Sequence, residues 1–189
     1  MAKTIITVMT SAVAMLATTV VLADETCYTA DQESGELRFS GVAEGTPFRG
    51  KFGEFSVRVC LSDEDLTTAG IEVTVKTGSA DVGNRDGNQA LKDDEFFAVD
   101  QFPEARWVST EIARDGDDYR AEGSLSIKSL ESAQPVTLSL ETDGETRTLS
   151  GGAEIKRLDW DVGTGEFEDP DFIRNRVDLR FELELHPED

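Results

Sequence analysis

The residue types able to do acid–base or metal chemistry are unevenly supplied in this 189-residue chain. There are 39 Asp and Glu against 18 Lys and Arg, a formal net charge of −21, with one His and two Cys. Carboxylates in such excess mean nothing by being paired. The one imidazole, His186, stands among the last four residues before Pro187-Glu188-Asp189, where a frayed tail is expected and a catalytic triad is not. A calcium loop fails on spacing. With Gly87 as its turn glycine, Asn84 and Asp86 would fit, but Val82 would take the first ligand position and Asp93 the last. Asp115, Asp117 and Asp118, like Glu168, Asp169 and Asp171, read as solvated loop charges. Gly163-x-Gly165 lies between strands with no helix after it, so the phosphate-cradling mechanism of a glycine loop does not apply. The residues predict no enzyme activity, no metal and no cofactor.

Charge also restricts partners, since so acidic a chain is repelled by phosphate backbones and anionic head groups. No nucleic acid and no stable membrane anchor are expected. The first residues read as an export signal: Lys3, an apolar run from Ile5 to Leu22, and Val21-Leu22-Ala23 before Asp24-Glu25. Cleavage after Ala23 would leave residues 24–189 as one domain with 17 basic and 39 acidic residues, net −22. An exported chain meets oxidising conditions. Cys27 and Cys60, outside any C-x-x-C context, then read as a structural disulfide tying the mature N-terminus to the end of an early strand.

The elements that must position all this are strands. Period-two alternation runs through Leu37–Ser40, Phe55–Val59, Ile71–Lys76, Trp107–Ile112, Tyr119–Ile127, Val136–Leu140, Thr148–Ile155 and Val177–Leu185. Polar turns separate them at Ser62–Asp65, Arg114–Asp118 and Thr142–Glu145. About eight such strands predict an all-β antiparallel sandwich or up-and-down barrel. One segment breaks the rhythm: Ala90–Ala98 places Leu91, Asp94 and Ala98 on one helical face, predicting a short helix between the third and fourth strands. In a barrel, the inward row is either a filled core or the lining of a lumen for one elongated ligand, and periodicity does not choose.

Several motifs in order resemble the YceI-like family. They are Phe48-x-Gly50-x-Phe52-x-x-Phe55; Asn84-Arg85-Asp86, then Leu91 and Asp94-Glu95-Phe96-Phe97; Phe102-Pro103 and Trp107-x-Ser109-Thr110; and Arg157-x-Asp159-Trp160-x-Val162-Gly163-x-Gly165-Glu166-Phe167-x-Asp169. The resemblance covers about residues 36–186. It implies an extended eight-stranded, lipocalin-like barrel holding a polyisoprenoid, quinone-like or other long-chain amphiphile, and export to the periplasm. The implied lining is the apolar row Phe39, Val57, Val59, Val73, Val75, Trp107, Leu125, Ile127, Leu138, Leu140, Leu179 and Phe181, with Phe96, Phe97 and Trp160 near the mouth. Arg85, Asp86 and Arg157 are the candidates for head-group contacts. A long-chain lipid is the expected partner, with transient contact to a membrane redox protein; the alternative is a stress-related or partner-binding module with a packed lumen and no cargo. The chain departs from the family pattern at Gly87–Ala90, where a His is usual, at Asp161, where a Gly is usual, and over Leu130–Gln134.

Overall fold

The computed structural model describes residues 25–62 and 65–188. The predicted export segment and the Asp63-Glu64 part of the first acidic turn lie outside the described residues. Twelve strands and one helix follow in order: β1 (Thr26–Asp31), β2 (Gly35–Ala43), β3 (Thr46–Phe52), β4 (Phe55–Leu61), β5 (Gly70–Lys76), β6 (Ala80–Asp81), α1 (Arg85–Ala90), β7 (Glu104–Asp115), β8 (Asp118–Ile127), β9 (Leu130–Ala133), β10 (Val136–Asp143), β11 (Thr146–Lys156) and β12 (Arg176–Pro187).

Every strand pair is antiparallel, and the sheet closes on itself. The ring runs β1-β4-β5-β7-β8-β10-β11-β12 and returns to β1 through Tyr28 opposite Pro187 and Thr29 opposite His186. Further along its length β12 pairs with β2, from Asp178 opposite Ser40 to Leu183 opposite Gly35, and β2 carries β3 and β6. β1 with β2, and β3 with β4, are therefore the two arms of one long hairpin, each arm broken by a short bend. Counted that way the barrel has the eight antiparallel strands expected. Bending at Gln32–Ser34 is held by Ser34 N–H donating to Asp31 O (3.0 Å), while Ser34 O accepts from Glu184 N–H (2.9 Å) and keeps the bend on β12.

Alternation explains the packing. On β12 Leu183 and Leu185 are buried and Glu182 and Glu184 exposed; on β8 Tyr119, Ala121, Leu125 and Ile127 are buried and Arg120 exposed. The end carrying the 115–118 and 143–146 turns is packed solid by Tyr28, Val59, Leu61, Leu66, Ile112 and Leu185. Cys27 and Cys60 sit directly opposite in β1 and β4 and form the disulfide expected. The other end is covered by two long connections, residues 77–103 and 157–175. Among the described residues no helix is long and apolar enough to cross a membrane.

The helix lies where expected between the β5 and β7 strands but occupies Arg85–Ala90, not Ala90–Ala98. Asn84 caps it, its Oδ1 accepting from Gly87 N–H at 2.7 Å. Residues 91–98 instead coil in tight turns, with Phe96 and Ala98 N–H both donating to Asp93 O (each 3.0 Å) and Ala98 in a left-handed conformation (φ 46°). Those turns bring the adjacent Phe96 and Phe97 both to the barrel interior.

Candidate functional site

Inside the barrel lie two adjoining chambers. The inner one, about 110 Å³, is bounded by Val57, Val73, Val75, Trp107, Leu125, Leu138, Leu179 and Phe181 together with Leu37, Phe55 and Leu183. The outer one, about 390 Å³, is bounded by Phe39, Phe96, Phe97, Ile127 and Trp160, and again by Val75, Leu125 and Leu179. Thirteen of the fifteen apolar residues expected to line a lumen therefore border one chamber or the other. Val59 and Leu140 do not. Val59, wholly buried, belongs to the packed end beyond the inner chamber, and Leu140 packs against that core from its periphery.

Space for these chambers comes from pairing large rings with glycines. Phe39 lies opposite Gly50 and Phe181 opposite Gly151. A methyl group on Gly50 would come within 2.4 Å of the Phe39 ring, and one on Gly151 within 2.1 Å of Thr137 O. With no side chain at the partner position, each ring lies across the neighbouring strand. Phe39 continues into a file of rings: Phe48 at 6.4 Å, Phe52 at 5.1 Å, and from Phe52 on to Phe97 at 6.3 Å. A second file, Phe96 to Phe167 (4.9 Å) to Phe172 (6.0 Å), leads outward to Phe172, which is 38% exposed. Sequence reasoning left Phe48, Phe52, Phe167 and Ile173 out of the lining. Phe48-x-Gly50-x-Phe52 carries a period-two signal that would have found the first two; Phe167 and Ile173 sit in an irregular loop and carry none.

The wall is almost wholly hydrocarbon, because its polar members spend their hydrogen bonds on the protein. Trp107 Nε1 donates to Gln134 O (2.9 Å) and Trp160 Nε1 to Leu125 O (3.1 Å). Thr77 Oγ1 donates to Phe102 O at 2.8 Å, and the Gln134 amide to Pro135 O (2.9 Å) and Glu154 O (3.1 Å). No buried side-chain polar atom among the described residues lacks a partner.

Arg157 corrects the head-group expectation. Its five guanidinium N–H groups donate to five carbonyls: Nε to Arg174 O (3.2 Å), Nη1 to Val162 O (2.8 Å) and Gly163 O (2.5 Å), Nη2 to Phe167 O (2.6 Å) and Ile173 O (2.7 Å). No donor is left for a ligand. Burial lowers its pKa from the ordinary value, with Glu168 opposing the shift. Gly163 completes the cage: at φ +78° a Cβ there would lie 2.4 Å from Nη1. Arg85 and Asp86 border neither chamber. Both are exposed on α1, and Arg85 borders an outer surface groove with Asp81, Asn88 and Lys92, whereas the helix meets the outer chamber through Gly87 and Ala90.

Among the described residues the one trio of metal-type ligand atoms within 4.8 Å is Glu25 with Cys27 and Cys60, whose sulfurs are bonded to each other.

Comparison with known proteins agrees with this geometry. The model of the YceI-like domain matches residues 28–185. A UPF0312 protein of Shewanella denitrificans is 31% identical over 124 residues, 65% of this chain and 62% of the relative. One of Pectobacterium atrosepticum is 29% identical over 96 residues, 51% of this chain and 49% of the relative. The chain thus spans about half to six-tenths of the length of these relatives. Among solved structures it resembles BcnA of Burkholderia cenocepacia, with TM-score 0.77, 27% identity, and 82% of this chain and 98% of that one covered. A polyisoprenoid binding domain of Saccharophagus degradans has the same fold at TM-score 0.63 and 12% identity, with 85% of this chain and 98% of that one covered.

Proposed function

The chain belongs to the YceI-like family, and from that premise we propose that it is an exported, periplasmic carrier or store for a neutral-headed long-chain amphiphile, polyisoprenoid or quinone-like, held in the barrel lumen without chemical turnover. The observation that carries this reading is the outer chamber: about 390 Å³ of aromatic and aliphatic wall with every polar neighbour already bonded. Such a cavity stays dry and favours hydrocarbon. Each methylene entering it gains about 0.8 kcal/mol, so ten or so offset the loss of translational freedom. The name of the Saccharophagus degradans domain supports the isoprenoid class.

Arg157 being fully occupied supports a neutral head, since an anionic one would find no buried cation. Export fits cleavage after Ala23 and the oxidised Cys27–Cys60 pair. Exchange of a quinone-like cargo with a membrane redox protein follows as the route of loading.

Native mass spectrometry of gently purified protein should show a co-purifying lipid, identified after solvent extraction. Phe181→Asp, which puts a carboxylate beside the inner chamber, should remove it while the circular dichroism spectrum is retained. Protein that arrives empty and ignores added quinone would overturn the reading.

A further inference from the structure

The outer face of the β8-β10-β11-β12-β2 wall holds a groove of about 930 Å³ whose charges are ordered in rows. One row crosses the strands in register as Arg120, Thr137, Gly152, Arg180 and Arg38. Two residues further along each strand, about 7 Å away, the next row reads Asp118, Ser139, Ser150, Glu182 and Glu36. Both rows carry charge on β8, β12 and β2 and small residues on β10 and β11. Like charges facing each other across a ladder are unfavourable, and Arg180 stands directly opposite Arg38 in a chain with twice as many acids as bases. Arg180 and Glu182 have no ion pair among the described residues, while Arg38 rests against Glu36 and Arg120 against Glu122.

The flanking acids decide what can cover this face. A polyanion on the basic row would lie within one screening length, about 8 Å at physiological salt, of Glu182 and Asp178 on either side. The occupant must itself alternate, acid row against base row, at the same pitch. This face does so itself. We propose that a second copy of this chain docks here across a two-fold axis lying parallel to the rows and midway between them. That operation sets Arg120 against Asp118, Arg180 against Glu182 and Arg38 against Glu36, each pair made twice. Thr137, Gly152, Ser139 and Ser150 keep the middle of the contact low, so the long flanking side chains can meet. Because each protomer is strongly acidic, the dimer forms best at intermediate salt, where distant repulsion is screened and the contact pairs persist.

Sedimentation velocity over a concentration series tests it. At about 0.15 M salt wild type should dimerise reversibly and should dissociate at about 1 M. Arg38→Glu with Arg180→Glu should raise the dimer Kd at least tenfold, as should Glu36→Arg with Glu182→Arg. All four side chains are exposed, so each variant should keep the wild-type circular dichroism and melting. The two double variants, one presenting only acid and the other only base on β12 and β2, should form a heterodimer when mixed. The fourfold exchange of both rows in one chain should restore the homodimer at unchanged net charge. Wild type that stays monomeric throughout, a dimer indifferent to the double reversals, or a mixture that fails to pair would each overturn the proposal. So would a monomer that sediments with phosphatidylglycerol vesicles and loses them on Arg38→Glu with Arg180→Glu, which assigns the row to a lipid surface.

Discussion

At the scale of single residues, a buried cation here serves the backbone of its own loop. Arg157 gathers carbonyls from Val162, Gly163, Phe167, Ile173 and Arg174, which would otherwise point unpaired into a dry wall. Arg157→Leu should cost about 3 kcal/mol or more in urea unfolding, since several acceptors lose their donor at about 1 kcal/mol or more each. Arg157→Lys should recover little, because an ammonium offers three donors to a five-acceptor cage. Arg85→Ala, on the outer side of α1, should leave stability and cargo unchanged. Asp65 makes the pH argument. Thr67 N–H, accepted at 2.9 Å, and the Arg114 guanidinium hold its carboxyl at about 2, below the ordinary value of 3.8. A depressed carboxyl contributes stability above about pH 4 and loses it as pH falls through about 2. Asp65→Asn should therefore lower the melting temperature above about pH 4 and flatten the acid limb between those pH values, its difference from wild type closing as pH falls through about 2.

At the scale of elements, the strands were legible wherever one face is wet and the other dry. β8 and β12 alternate cleanly and were found; β1, β3, β6 and β9 were not. β3 offers only Phe48 and Phe52 at period two, weakened by Pro47 and by Gly50 between them, with the two basic residues Arg49 and Lys51 on the other face, and its apolar side is completed by Phe39 and Phe97 from elsewhere in the chain. β9 is exposed along its whole length and has no core signature to read. The helix was placed one turn late because Leu91, Asp94 and Ala98 mimic a helical face, while the stronger local signal was the Asn84 cap. The apolar lining was legible as the inward row of strands. The cage around Arg157 was not, because its acceptors are main-chain atoms and leave no trace in side-chain identity. The Cys27–Cys60 bridge was readable from two cysteines and the expectation of export, and it spans 33 residues. Replacing both by Ser should lower stability by about 3 to 4 kcal/mol in denaturant titration, through the freed unfolded chain.

At the scale of the molecule, all twelve strands lie in one continuous sheet, so the interior is a shared possession. Trp107 borders the inner chamber and Trp160 the outer. Tryptophan fluorescence and far-ultraviolet circular dichroism should consequently report one coincident unfolding midpoint; two separated midpoints would show that the chamber ends melt independently. Among the described residues β12 meets β1 at two residue pairs, Tyr28 with Pro187 and Thr29 with His186, backed by Glu188 N–H donating to Cys27 O (2.9 Å) and by the Arg58–Glu188 ion pair (2.8 Å), and it continues along β2 from Leu183 to Asp178. This seam joins the first described strand to the last. A chain still being synthesised has no inside at all, since Arg176–Pro187, its final stave, is the last part to arrive. The lumen comes into existence only when that stave docks on both β11 and the first arm, so a nascent chain is a cup without a side and filling it must wait for the finished molecule.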